Sequence, residues 1–204
     1  VEVIASPDPS IPLSNSVWVD WTSLDELSGY ERTGAGCPNW TAPNDYCFGP
    51  ASADGTPVPI LPPVALAKAK TQDSATIGET FNYRITVPAT PYPVPLYDVR
   101  ITDNLNGSAA DLTYVSVTKV SGTGAWNPVN TGDTKNLVIE DTATGIDIAP
   151  GEQVVLDITV RLDDTATNIA GLTFTNTADY TYTRLNDAPA TILGGMPGTT
   201  EPMT

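Results

Sequence analysis

The sequence predicts an all-β chain organised around a sandwich of about seven strands. Three observations carry this expectation. Several segments alternate apolar and polar residues with period two, the signature of half-buried strands. Turn-forming residues are abundant, with 19 prolines and 16 glycines. Long apolar patterns of helical period are absent.

Val1 to Ser10 is acidic and proline-bearing and reads as an extended lead-in. In the next stretch Leu13, Asn15, Val17, Val19 and Trp21 share one parity. With Asn15 set opposite Asn176, Ser16 faces Thr177, Val17 faces Ala178, Trp21 faces Tyr182, Thr22 faces Thr183 and Leu24 faces Leu185. This is an internal repeat of the last strand and its exit. Residues 1–62 therefore read as the closing strand and tail of a preceding repeat, with a proline-rich linker after it. An apolar face of Leu13, Val17, Val19 and Trp21 must add to some sheet. Two readings stay open. It is an extra strand of this chain's own sandwich, or it belongs to another module and assembles by strand addition.

Ala51 to Pro63 holds Pro57, Pro59, Pro62, Pro63 and Gly55, a stiff extended linker. The main module spans 63–186. Its expected strands are Val64–Lys70, Thr80–Val87, Tyr97–Asp103, Thr113–Val120, Asn136–Glu140, Gln153–Leu162 and Leu172–Tyr182. Tyr92-Pro93-Val94-Pro95 marks a loop or sheet edge. Asp103 to Gly107 and Ala149-Pro150-Gly151-Glu152 are turns. In the sixth strand Val154, Leu156, Ile158, Val160 and Leu162 form the core face. Residues 187–204 are rich in Gly, Pro and Thr, with Ile192 to Met196 the apolar patch. They read as a flexible tail, or as a strand lying along a neighbour.

The formal net charge is −15, with nine basic residues and no histidine. Nucleic-acid binding needs a basic surface and is not expected. Ser-His-Asp and Cys-His catalysis are excluded by the missing imidazole. No run of about 18 apolar residues could span a membrane as a helix. The chain opens at Val1 without a charged-then-apolar leader, so any signal peptide is expected to be removed or to lie upstream. Asp163, Asp164 and Asn168 share one loop, and Asp141 and Asp147 flank another. Such oxygen clusters can hold calcium, but no spacing matches a known calcium loop. The expectation is no cofactor and no metal, with calcium the one ion these loops could take.

The chemistry lies in three polar residues with inward phase. In 172–182, Leu172, Phe174, Ala178, Tyr180 and Tyr182 share a face, and Asn176 interrupts it. On the third strand Asp103 shares the phase of Val99, Ile101 and Leu105. On the first, Lys68 and Lys70 share the phase of Val64 and Leu66. A buried lysine loses its proton because desolvation disfavours the charged form, and the neutral amine is a nucleophile. A buried carboxylic acid can protonate the carboxamide oxygen of Asn176. Attack on the amide carbon would expel ammonia and leave a Lys–Asn isopeptide bond, a single-turnover reaction driven by proximity. The bland alternatives are a Lys70 past the buried run, an Asp103 opening a turn and an Asn176 paired with backbone.

The stretches Ile77-Gly78-Glu79-Thr80-Phe81-Asn82-Tyr83, Val99-Arg100-Ile101-Thr102-Asp103-Asn104-Leu105, Ala149-Pro150-Gly151-Glu152 and Thr175-Asn176-Thr177-Ala178 carry a resemblance. Over residues 64–186 the chain resembles the repeat modules of bacterial surface and fimbrial proteins. The resemblance implies an immunoglobulin-like or collagen-adhesin-like β-sandwich, here with an extra N-terminal strand segment. In crosslinked members a first-strand lysine joins a last-strand asparagine beside an acid on a middle strand. Carried over, this implies Lys70 and Asn176 as the crosslinked pair, with Lys68 as alternative donor and Asp103 as the acid. Asn15 is then the equivalent acceptor position of the repeat.

The resemblance implies an extracellular, cell-surface protein whose work is mechanical, a module of a fibre, stalk or filament. It would be no enzyme beyond one self-inflicted bond. Cys37 and Cys47 lie among turn-forming and aromatic residues and are expected to close a surface loop as a disulfide in such an exported chain. Partners would be neighbouring copies or repeats, and one alternative is a filament subunit that polymerises by strand donation. A second is a carbohydrate-binding adhesin module that stacks sugars on exposed Trp18, Trp40, Trp126 and Tyr92.

Overall fold

The computed structural model describes residues 19–22, 45–48, 63–186 and 192–204. The chain divides into two units, 1–62 and 63–204. In the first unit, β1 (Val19–Thr22) pairs antiparallel with β2 (Asp45–Phe48), Val19 facing Phe48 and Trp21 facing Tyr46. The sequence reading sought a partner for this strand in the main module or in another module. Among the described residues it pairs with Asp45–Phe48, a stretch that overlaps the expected tail. Asn15, Cys37, Trp18 and Trp40 lie outside the described residues, and with them the repeat's acceptor position and the Cys37–Cys47 pairing. Cys47 falls on β2 opposite Asp20.

The second unit is a two-sheet β-sandwich. One sheet has the order β3-β4-β9-β6, from Ala67–Lys70, Thr80–Val87, Val154–Leu162 and Leu112–Ser121. The other runs β11-β10-β5-β8-β7, with β12 also on β10. Its strands are β5 (Tyr97–Asn104), β7 (Val129–Asn130), β8 (Asn136–Glu140), β10 (Thr177–Thr183), β11 (Leu193–Gly194) and β12 (Gly198–Thr199). All these pairings are antiparallel.

The core follows the alternation. Phe81, Tyr83, Ile85 and Val87 from β4 and Val154, Leu156, Ile158, Val160 and Leu162 from β9 are buried. They meet Val99 and Ile101 of β5, Leu137 and Ile139 of β8, and Ala178, Tyr180 and Tyr182 of β10. Removing such apolar faces from water is the main favourable term in forming the sandwich. Trp126 and Tyr92, expected as exposed stacking faces for sugar, are buried. The indole N–H of Trp126 donates to the Thr123 carbonyl, and the Lys119 ammonium lies over its ring.

The last strand is shorter than its alternation. It begins at Thr177, so Asn176 lies in the lead-in before the ladder starts. The terminal residues supply the reason. Met203 exchanges both backbone hydrogen bonds with Phe174 at 2.9 Å, and Thr200 occupies the backbone groups of Asn176. Residues 192–204, expected as a flexible tail or a strand along a neighbour, instead lie along their own module. Met203 and Thr200 are buried. Met196 bridges to Ala65, and the Leu66 N–H donates to the Met196 carbonyl. Two glycines permit the close approach. A Cβ on Gly195 would lie 1.9 Å from the Tyr180 ring, and one on Gly198 2.3 Å from the Leu66 carbonyl oxygen.

Gly195→Ala and Gly198→Ala should each cost about 1–3 kcal/mol, since the segment must lift to admit the methyl. Gly194→Ala, with nothing within 4 Å of its added Cβ, should be far milder. Chemical denaturation of the three variants checks this. Equal stabilities would show that the segment is not fitted as described.

Candidate functional site

Two strands and the lead-in to a third bring together Lys68, Asp103 and Asn176. Lys68 stands on β3 in the four-stranded sheet, and its ammonium crosses the core to the carboxylate of Asp103 on β5. Both side chains have zero exposed surface. Asn176 precedes Ala178, which faces Asp103 across the β10–β5 ladder. Its amide Nδ2 donates to Asp103 Oδ1 at 3.0 Å and Oδ2 at 3.3 Å. The carboxylate thus contacts both other members of the trio.

One aromatic ring borders the trio, and two more pack behind it. The Lys68 ammonium lies 4.5 Å from the centre of the Tyr83 ring. Phe81 meets Tyr83 edge-on at 5.2 Å and lies 6.3 Å from Phe174. Burial pushes the Lys68 pKa below its ordinary 10.5, against the pull of Asp103 towards the charged form. Burial also pushes the Tyr83 phenol upwards. Two buried polar atoms at the site have no hydrogen-bond partner: the Asn176 Oδ1 and the Tyr83 hydroxyl. An orphaned carbonyl oxygen in a core is costly. A carboxylate can only accept, so it selects the amide's N–H side and leaves Oδ1 facing nothing.

Phase alone could not choose between Lys68 and Lys70, which point the same way. Depth separates them. Lys70 ends β3 at the rim, where its ammonium donates to the Pro202 carbonyl at 2.6 Å and pairs with Asp73 at 3.0 Å. The structure brings Lys68, the alternative donor, into the trio and leaves Lys70 outside it. Sequence reasoning also missed Thr200, whose hydroxyl accepts from the Asn176 backbone N–H at 3.1 Å. No local pattern marks that contact, because it joins a coil residue to the lead-in of another strand. Tyr83 was legible as an inward residue of β4, but not as the ring beneath the ammonium.

Beside the trio lies a surface cavity of about 450 Å³ lined by Asp103, Asn104, Gly107, Asn136, Asn176 and Asp179, among others. The acidic loops considered for calcium are otherwise engaged. The Lys135 ammonium sits between Asp111 and Asp163, at 2.6 and 3.1 Å. Asn168 braces the Asp111 and Asp163 backbones. Asp141 accepts from the N–H groups of Asn127, Ala143 and Thr144, and Asp147 from that of Asp98. Among the described residues no three acidic, cysteine or histidine side chains converge as a metal site. No helix among them is long and apolar enough to cross a membrane.

No protein-family model matches the chain, and no curated protein matches it. Solved structures do. The chain is similar to the sixth cohesin of scaffoldin B from Acetivibrio cellulolyticus, at 13% identity and a TM-score of 0.43, covering 68% of this chain and 99% of that one. It is similar to the collagen-binding subdomain of the Enterococcus faecalis surface protein ACE, at 16% identity and a TM-score of 0.37, covering 67% and 95%. It is also similar to two domains of the major pilin SpaD from Corynebacterium diphtheriae, at 15% identity and a TM-score of 0.43, covering 66% and 51%.

Lys68 titration has a measurable signature. In an Asp103→Asn chain the carboxylate that favours the ammonium is gone and burial alone remains. The folded pKa of Lys68 then lies below 10.5, so between that lowered value and 10.5 the unfolded chain holds a proton the folded one has shed. Stability therefore rises with pH across this window. Relative to Asp103→Asn/Lys68→Met, the rise should approach about 1.4 kcal/mol per pH unit. Urea denaturation of both chains from about pH 7 to about pH 10 reads it. A flat difference would mean Lys68 is not buried.

Proposed function

We propose that residues 63–204 form a structural module of an extracellular, cell-surface fibre or stalk, and that an isopeptide bond between Lys68 and Asn176 ties its two sheets together. The observation that supports this reading is the contact of Lys68, Asp103 and Asn176 in one buried site. A buried ion pair stabilises a fold poorly, because both charges forgo hydration. Such an arrangement makes chemical sense when the charges are meant to disappear.

The reaction balances within the trio. The Lys68 ammonium passes one proton to the Asp103 carboxylate, leaving a neutral amine and a neutral acid. A half-turn of the carboxamide then brings Asn176 Oδ1, otherwise orphaned, onto the acid's O–H. The polarised Cγ is attacked by Lys68 Nζ. The new C–N bond forms, the bond from Cγ to Nδ2 breaks, and Nδ2 departs as ammonia with a proton from the attacking amine. Asp103 ends as a neutral acid hydrogen-bonded to the new amide. The cavity at Asp103 and Asn176 offers the ammonia a short way out. Proximity supplies the rate, and the bond forms once per chain.

The tie would close a loop of roughly 100 residues, worth about 4–5 kcal/mol by the loop-closure relation used for disulfides. Strong negative charge fits a surface that stays solvated and apart from its neighbours.

The intact mass of the chain should fall short of its sequence mass by one ammonia, after any disulfide is reduced. Lys68→Met, Asp103→Ala and Asn176→Ala should each show no such deficit relative to their own sequence mass. Lys70→Met should keep it. A tryptic digest should give one branched peptide joining Lys68 to Asn176. Full mass in the unaltered chain, with Lys68 open to cleavage, overturns the crosslink.

A further inference from the structure

The geometry points to Thr200 as a positioning residue for this crosslink, and to residues 198–204 as a strap whose docking switches the reaction on. This rests on the reading above. Asn176 lies outside the β10 ladder, which reaches β5 only from Ala178 onward. Its backbone is held by Thr200 from both sides. The Asn176 N–H donates to Thr200 Oγ1 at 3.1 Å, and the Thr200 N–H donates to the Asn176 carbonyl at 3.0 Å. Two residues back, Phe174 is clamped by Met203 through two backbone hydrogen bonds. One residue on, the Thr177 and Thr199 hydroxyls meet at 2.7 Å.

The strap also closes the site from the β3 side. Pro202 accepts from the Lys70 ammonium, and the Thr204 N–H donates to the Asp73 carbonyl. Gly198 runs flush against Leu66, two residues before Lys68. The same short segment therefore grips the flank of the donor strand and the backbone of the acceptor. Before it docks, Lys68 and Asp103 can pair, because β3 and β5 belong to the sandwich proper. The Asn176 carboxamide has no ladder to fix it in reach of Lys68 Nζ. The bond consequently forms last, after residues 198–204 have settled, and reports that the fold is complete.

The experiment follows crosslinking in the full chain, refolded from a denatured preparation that has never folded and so starts unreacted. Aliquots are acid-quenched and weighed for ammonia loss while tryptophan fluorescence follows folding. Thr200→Val keeps the shape and removes the acceptor, and Thr200→Ser restores the hydroxyl. Thr200→Val should react roughly 10–100-fold more slowly than the unaltered chain, the scale expected of a reacting group misplaced by about 1 Å. Thr200→Ser should react at close to the normal rate. Thr200→Val reacting as fast as the unaltered chain overturns the positioning role and leaves the crosslink standing. An unaltered chain that folds and never loses ammonia overturns the crosslink itself. Should Thr200→Val fail to fold, Thr200→Ala takes its place. If that chain fails too, the hydroxyl is a folding requirement and the proposal is overturned.

Discussion

The burial of Lys68 against Asp103 is the constraint that shapes the module. Two opposite charges stand in a core with no exposed surface, and each is tolerable only in the company of the other. That pairing fixes the distance between the sheets at this point and fixes which faces of β3 and β5 look inward. It also dictates the lead-in to β10. A carboxylate with spare lone pairs attracts a donor, and the Asn176 amide supplies one. Burial beside the Tyr83 ring lowers the Lys68 pKa, and Asp103 opposes that shift.

The opposite arrangement occurs at the loop bearing Lys135. There the ammonium bridges Asp111 and Asp163 and also donates to the Leu112 carbonyl, partly open to solvent. The two carboxylates raise the Lys135 pKa overall even though burial works against them. One lysine is thus held charged by two acids near water, and another is pressed towards neutrality by apolar surroundings with a single acid beside it. The difference is environment, not residue type.

Much of the sandwich was legible because alternation is a direct record of burial. The bounds of Thr80–Val87 and Asn136–Glu140 could be read without error, and the inward phase of Asp103 and Asn176 was visible from their neighbours. Phase says which face a residue takes, though not how far along the strand the core extends. That is why Lys70 could stand in for Lys68 on paper while sitting at the rim in the fold. The short strands were hidden for a different reason. Val129–Asn130, Leu193–Gly194 and Gly198–Thr199 are two residues each, too brief for any period to register. Their order comes from partners far away in sequence. Gly195 and Gly198 looked like marks of looseness, yet each is required by a backbone lying hard against Tyr180 and Leu66.

The placement of Lys68 and Asn176 has a consequence for load. Lys68 lies on the first strand of the module, and Asn176 just before its last long one. With the two joined as proposed, tension applied between Pro63 and Thr204 would take the covalent shortcut between them. The strands from β4 to β9 would hang from that shortcut as a slack loop, carrying no force and unable to unravel. The residues after Asn176 stay in series with the pull. β10 and the strap at β11 and β12 would peel first and reclose when the force falls, a reversible spring mounted on an inextensible link.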